Sequence, residues 1–222
     1  MGEGRFDAVI FDMDGVLIDS AAVYERHWRD WAENHGLDRE APIAVHHGHP
    51  AVETIALIAP GLDARFEAAE YNRILAEDTT ADGVHVMPGA RSALESLSRA
   101  SWAIATSAPR AMAERWLALQ ALPLPGVLVA VEDVENGKPA PDPYLLAADR
   151  LGVEPSRCLV FEDAPPGVTA AKTAGCTVVA LATTHADASL AAADAVVSDL
   201  GAVSLSGGPG TVVATWRIIE AG

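Results

Sequence analysis

Short apolar, β-branched runs alternate with helical patterns along most of this chain. Strands are predicted at residues 6–11, 102–106, 127–131, 158–161, 177–181 and 195–197. Helical patterns lie between most of them, at residues 110–119, 143–151 and 167–174. This alternation is typical of βαβ units, because two parallel strands need a long crossover between them. The sequence therefore predicts an α/β fold built on a parallel sheet.

The segment after the first predicted strand has no β-branched alternation. Helical spacing of apolar residues predicts helices at residues 20–36, 52–58 and 64–76. We expect residues 16–83 to form a helical domain inserted between the two parts of one core domain, residues 1–15 and 84–222. The tail, from residue 204 to residue 222, is predicted to be a loop followed by an edge strand.

Charge and composition exclude several classes of partner. The chain has 15 Lys and Arg against 31 Asp and Glu, a formal net charge of -16, which argues against a nucleic-acid partner. This net charge still allows a small phosphorylated metabolite as a partner, because one local cationic pocket is enough to hold it. No apolar run approaches the ~18 residues of a membrane span, so we expect a cytoplasmic protein without a membrane partner. The two cysteines are predicted to be buried thiols, and a monomer is the simplest expectation.

Polar residues follow several of the predicted strands. In an open parallel sheet, ligands bind beyond the carboxyl ends of the strands. Carboxylates that leave two strands there could share one hard cation, which prefers oxygen ligands. Lys138 would add positive charge for an anionic substrate, Thr106 a hydroxyl donor, and the N–H groups near Gly15 and Ser107 an anion nest. The groups in question are Asp12 and Asp14, Thr106 and Ser107, Lys138, and Glu162 and Asp163.

Each of these groups also has an ordinary structural explanation. Asp-x-Asp-Gly is commonly a turn, Thr-Ser after a strand is commonly a helix N-cap, and a loop lysine is commonly solvated. The functional interpretation depends on their joint order, since each lies in the appropriate loop of one α/β sheet.

Four segments resemble the motifs of the haloacid dehalogenase (HAD) superfamily, in its subgroup with a helical cap after the first strand. They are FDMDGVLIDS, WAIATSAPR, NGKPAPDPYLLAADRLG and VFEDAPPGVTAAKTAGC. The EDAP-type fourth motif and the HG-x-P-type cap segment are most similar to those of sugar-phosphate, glycerol-phosphate and 2-deoxyglucose-6-phosphate phosphatases. The resemblance implies a Rossmann-like parallel sheet core with an inserted α-helical cap domain.

The resemblance also implies roles for the strand-end residues. Asp12 would be the nucleophile that forms an aspartyl-phosphate, and Asp14 the acid/base that serves the leaving alkoxide and then the water. Thr106 would hydrogen-bond the phosphoryl group, and Lys138 would neutralise it. An acid/base aspartate favours a phosphatase over a dehalogenase, because a halide leaving group needs no proton.

The metal implied by the resemblance is Mg²⁺. Asp12 and Asp163 would bind it through their carboxylates and Asp14 through its main-chain carbonyl. Glu162 would act on it through water or through contacts behind the ligands.

The cap segment around His49 is predicted to be a bent loop that faces the substrate, because Gly and Pro flank its histidines. His49 stands where similar sugar phosphatases often have Arg, and Glu53 is a further predicted substrate contact. β-Phosphoglucomutases carry a cap Arg where this chain has Ala51 and a cap His where it has Tyr24, which favours hydrolysis. A phosphomutase that needs a bisphosphate activator remains an alternative. A non-catalytic binding protein on the same fold is a third hypothesis, although such a protein has no need for Asp14.

Overall fold

A six-stranded sheet lies at the centre of the computed structural model, which describes residues 1–46, 50–78 and 82–219. Its strands, in spatial order, are β6 (Val127–Val129), β5 (Trp102–Ala105), β2 (Ala8–Phe11), β7 (Cys158–Glu162), β8 (Thr177–Leu181) and β9 (Ala195–Val197). All five pairings are parallel, which confirms the predicted α/β class. Strands β2, β5 and β7 are fully buried, as expected for parallel strands covered on both faces.

Seven α-helices occur in the described part of the chain. They are α1 (Ala21–Asn34), α2 (Ala51–Ile58), α3 (Ala64–Glu77), α4 (Ala90–Glu95), α5 (Arg110–Leu119), α6 (Asp142–Leu151) and α7 (Pro165–Thr173). Helix α6 packs on β2, β5 and β6, while α7 packs on β7 and β8. Both sulfhydryl groups, those of Cys158 and Cys176, are buried and free. Among the described residues, no helix is both long and apolar enough to cross a bilayer.

Helix α3 packs against both α1 and α2. Aromatic contacts hold α1 to α3, with the Trp28 and Tyr71 rings stacked at 4.1 Å between centroids. A short antiparallel ribbon, β3 (Ile18–Asp19) with β4 (His85–Val86), joins the two chain segments that enter and leave this helical region. The assignment of residues 16–83 to a separate cap domain stays a prediction.

The prediction for the two ends of the chain needs correction. The strand predicted at 6–11 is two strands, β1 (Gly2–Phe6) and β2. Asp7 interrupts the strand structure between them, and its carboxylate pairs with Arg157 at 2.7 Å. The tail has two strands, β10 (Val203–Ser206) and β11 (Val212–Trp216), rather than a single edge strand. Strand β11 lies between β1 and β10 in a separate antiparallel sheet. Its alternating Val212, Ala214 and Trp216 are buried there.

Candidate active site

Lys138 joins two of the predicted site carboxylates at the carboxyl ends of the central strands. Its Nζ lies 2.5 Å from Asp12 Oδ1 and 2.6 Å from Glu162 Oε1. Asp12 follows β2 directly, and its N–H donates to the Phe161 carbonyl at 2.9 Å, so the strand pairing itself positions this residue. Burial alone would lower the pKa of Lys138, but the charges of Asp12 and Glu162 outweigh it and raise that pKa. The lysine is therefore a fixed cation at this site.

Glu162 is held by four donors and is only 1% exposed. Its Oε1 accepts from Lys138 and from the Tyr144 hydroxyl, both at 2.6 Å. Its Oε2 accepts from the N–H groups of Asp163 at 2.9 Å and Ala164 at 3.1 Å. Burial favours the neutral acid, but Lys138 and these hydrogen bonds outweigh it and lower the pKa of Glu162. Glu162 is therefore an oriented anion that restrains the lysine.

Three buried carboxylates form a group that could hold a metal ion. Asp12, Glu162 and Asp163 each offer one oxygen, and these oxygens lie within 4.8 Å of one another. Burial raises the pKa of Asp163 well above its usual range, and the charges of Glu162 and Asp12 add to the shift. Burial likewise raises the pKa of Asp12 to about 7, although Lys138 opposes the change. One lysine does not neutralise this group, so a hard cation with oxygen ligands fits it.

Asp14 lies beside this group without belonging to it. Its carboxylate accepts a hydrogen bond from the Ser20 hydroxyl. Burial raises the pKa of Asp14 to about 6, while Ser20, Lys138 and the Thr106 hydroxyl oppose the shift. A carboxyl group with this pKa can both give and take a proton near neutral pH.

Gly15 is required by the geometry of the loop after Asp14. Its φ of 73° is a left-handed conformation that side chains disfavour. A Cβ at this position would lie 2.1 Å from Asp163 Oδ2. The main chain can therefore approach the carboxylate group closely because no side chain intervenes.

Thr106 and Ser107 follow β5 at the same edge of the sheet. Thr106 is buried, and its hydroxyl oxygen accepts from the Ala108 N–H at 3.0 Å. Ser107 is exposed and lines the cavity above the carboxylates. That cavity lies between the sheet edge and the helical region, whose Tyr24, Trp28 and Tyr71 form part of its wall.

The structure brings most of the predicted site residues together. The ones that line the cavity are Asp12, Asp14, Gly15, Ser107, Lys138, Glu162 and Asp163, with Thr106 buried beside Asp14. Glu53 is not brought to this cavity: it is exposed on α2 and does not belong to the lining. His49 lies outside the described residues.

Sequence reasoning missed several residues of the site. Ser20 donates a hydrogen bond to the Asp14 carboxylate and Tyr144 donates one to the Glu162 carboxylate, and Thr184 donates one to the Asp163 carboxylate. Thr184 lies in the loop after β8, so the rule that ligands bind at strand carboxyl ends points to it. No local pattern identifies Tyr144, because it reaches Glu162 from within an ordinary amphipathic helix, α6.

The chain matches the family model of the haloacid dehalogenase-like hydrolases over residues 6–175. It belongs to this family. It is 41% identical to hexitol phosphatase A of Escherichia coli over 180 residues, which are 80% of this chain and 83% of that protein. It is 36% identical to glycerol-1-phosphate phosphohydrolase 1 of Saccharomyces cerevisiae over 194 residues, 81% of this chain and 76% of that protein.

A solved structure of a β-phosphoglucomutase, from Clostridium difficile, is similar in fold. Its TM-score is 0.72 at 24% identity, covering 88% of this chain and 92% of that one. The family match and the phosphatases among the relatives confirm the predicted resemblance and the predicted enzyme class, a phosphoric monoester hydrolase.

Proposed function

We propose that this chain is a magnesium-dependent phosphatase that hydrolyses small sugar or polyol monophosphates through an aspartyl-phosphate on Asp12. The observation that carries the proposal is the pair of contacts from Lys138 to Asp12 and Glu162, at 2.5 and 2.6 Å. A lysine fixed in this way favours the ionised form of Asp12 and orients its carboxylate, and its charge favours a phosphoryl group beside it. The substrate class is supported by the hexitol and glycerol phosphatases among the relatives.

In the first step, an Asp12 carboxylate oxygen attacks phosphorus, and the bond from phosphorus to the substrate's ester oxygen breaks. Asp14 gives its proton to the departing alkoxide. In the second step, Asp14 takes a proton from water, which attacks phosphorus and breaks its bond to Asp12. Inorganic phosphate and the free Asp12 carboxylate result, and Asp14 is again protonated. The pKa of Asp14, about 6, suits both of its tasks.

The phosphoryl group would be held by Lys138, by the Thr106 hydroxyl and by main-chain N–H groups near Gly15 and Ser107. Ser107 is exposed in the cavity wall, and Gly15 lines the cavity, although its own N–H donates to the Ile18 carbonyl at 2.7 Å. Together with Lys138, these donors stabilise the negative charge on the phosphoryl oxygens.

Mg²⁺ would be held by the Asp12 and Asp163 carboxylates and by the main-chain carbonyl of Asp14. Glu162 fits a supporting role, because both of its oxygens already accept hydrogen bonds. When bound, the ion offsets the repulsion between the phosphate and the Asp12 carboxylate. That repulsion is about 4 kcal/mol per pair of unit charges at ~4 Å and an effective dielectric of ~20.

A phosphomutase is the second candidate, because a β-phosphoglucomutase shares the fold. Two residues of the cavity wall favour hydrolysis. Tyr24 and Ala51 line the cavity, and they align where the mutases carry a catalytic His and a phosphate-binding Arg.

The proposal is tested by measuring phosphate release from p-nitrophenyl phosphate, a hexitol phosphate and glycerol 1-phosphate. We expect release that needs Mg²⁺, stops with excess EDTA and is abolished by Asp12→Asn. Asp30→Asn, an exposed aspartate on α1, is the matched control and should keep full activity. Equal turnover in Asp12→Asn, or full activity in EDTA, would refute the mechanism. Isomerisation of glucose 1-phosphate with its bisphosphate, without hydrolysis, would establish the mutase.

A further inference from the structure

A short loop after β8 reaches the two strand ends that carry the proposed metal ligands. Strand β8 lies beside β7, with Ala180 opposite Glu162 in the parallel register. We call residues 182–185, which follow β8, the β8 loop. Its first residue is fixed to the sheet, because the Ala182 N–H donates to the Val197 carbonyl of β9 at 2.8 Å. The loop therefore extends from a rigid element of the core.

Two consecutive threonine hydroxyls of the β8 loop donate to the neighbouring strand ends. The Thr183 hydroxyl donates to the Gly15 carbonyl at 2.6 Å, which joins the loop to the residue after Asp14. The Thr184 hydroxyl donates to Oδ2 of Asp163. Through separate hydrogen bonds, the loop thus holds the main chain beside one proposed ligand and the side chain of another.

Oxygen Oδ2 of Asp163 is confined by packing as well as by this hydrogen bond. A Cβ on Gly15 would lie 2.1 Å from that oxygen and 2.9 Å from Thr184 Cγ2. The Gly15 main chain, the carboxylate and the Thr184 methyl group are therefore packed closely together. Rotation of the carboxylate about its Cβ–Cγ bond would break the hydrogen bond to Thr184.

His185 fixes the Thr184 hydroxyl in turn. Its Nδ1 lies 2.9 Å from Thr184 Oγ1 and 3.2 Å from the Asp163 carbonyl oxygen. The Thr184 hydroxyl has one proton and gives it to Asp163, so the histidine nitrogen is the donor toward both oxygens. Hydrogen bonds of this kind, from groups behind a metal ligand, orient the ligand and strengthen metal binding.

We propose that Thr184 is a positioning residue for the metal ion. Its hydroxyl holds the Asp163 carboxylate in the orientation that binds Mg²⁺, and His185 holds that hydroxyl. This inference rests on the proposed function and adds two residues to its metal site. Among the described residues, the hydroxyl bonds Asp163 and not the nucleophile Asp12. Thr184 should therefore control the affinity for the ion rather than the chemical steps at phosphorus.

The test measures Mn²⁺ binding by electron paramagnetic resonance, without substrate, in the wild type, Thr184→Val and Thr184→Ser. Mn²⁺ takes oxygen ligands, as Mg²⁺ does. Valine has the shape of threonine without the hydroxyl, so Thr184→Val should bind Mn²⁺ roughly 10- to 100-fold more weakly. Serine keeps the hydroxyl, so Thr184→Ser should stay within about threefold of the wild type. Thr173→Val changes an exposed threonine at the end of α7 and is the matched control, with wild-type affinity expected.

Phosphate release from p-nitrophenyl phosphate gives the second readout. The Mg²⁺ concentration for half-maximal release should rise by a similar factor in Thr184→Val, while kcat at saturating Mg²⁺ stays within about threefold. Unchanged Mn²⁺ affinity in Thr184→Val, an equal loss in Thr184→Ser, or a wild type that binds no Mn²⁺ would overturn the inference. A wild type that releases no phosphate, with Mn²⁺ affinities in the expected order, would refute the proposed function and leave the positioning role in place.

Discussion

Replacing Gly167 with alanine should displace the Glu162 carboxylate and disrupt its contact with Lys138. Gly167 is buried near the start of α7, and a Cβ on it would lie 1.7 Å from Glu162 Oε1 and 2.0 Å from Cδ. Alanine forms helices better than glycine by about 1 kcal/mol, so helix propensity alone predicts a more stable protein. The structure predicts the opposite, because the carboxylate of Glu162 cannot stay where it is.

The expected magnitude follows from what Glu162 would lose. A lost hydrogen bond to this buried charge, from Lys138 or Tyr144, costs about 1.5–3 kcal/mol, and overpacking costs about 1–3 kcal/mol. After the gain in helix propensity, Gly167→Ala should lower the free energy of unfolding by about 2–4 kcal/mol. For a chain of this size that corresponds to a Tm lower by about 4–16 °C. The kcat should fall as well, because Lys138 loses one of its two partners.

Thermal unfolding followed by circular dichroism, together with guanidinium titration, measures the change in stability. Gly61→Ala is the matched control, since a Cβ there meets no atom within 4 Å, and its stability should stay within about 0.5 kcal/mol of the wild type. A Gly167→Ala protein that melts at or above the wild-type Tm, with wild-type turnover, would refute this account of Glu162.

Two further substitutions test the hydrogen bonds and ion pairs of individual carboxylates. Burial alone would raise the pKa of Asp133, but the Ala130 N–H and the charges of Arg110 and Arg150 outweigh this effect, so the net pKa is lowered. Asp133→Asn should therefore cost about 1–2 kcal/mol of stability near neutral pH. Because the folded pKa is depressed, the difference should shrink as the pH falls below about 4, the unfolded value. Denaturant titrations at several pH values check this, and a pH-independent difference would contradict it. Tyr144→Phe removes a 2.6 Å hydrogen bond to Glu162 and should lower the free energy of unfolding by about 1.5–3 kcal/mol. Unchanged stability on guanidinium titration would argue against that bond.

The residues with the clearest chemistry could be predicted because their positions follow from local patterns. A buried parallel strand has a continuous apolar run, and its carboxyl end is where that run stops. Asp12 and Glu162 follow such runs directly, and both lie in the buried carboxylate group. Lys138 was predicted from the order of its loop in the chain. Glu53 was predicted to be a substrate contact in the cap segment, but α2 leaves its side chain exposed.

The sequence by itself determined the α/β class, the parallel sheet and the strand ends at which the reactive groups collect. Apolar periodicity and the short range of strand and helix signals suffice for these features. Only the tertiary structure decided the rest. Strand β11 pairs with β1 across nearly the whole chain, Gly2 opposite Trp216, and no local pattern encodes such a partner. The stacking of the Tyr71 ring on the Trp28 ring likewise joins α3 to α1, a contact that neither helix specifies alone. Side-chain neighbours of this kind depend on how separate elements pack, which short-range signals do not specify.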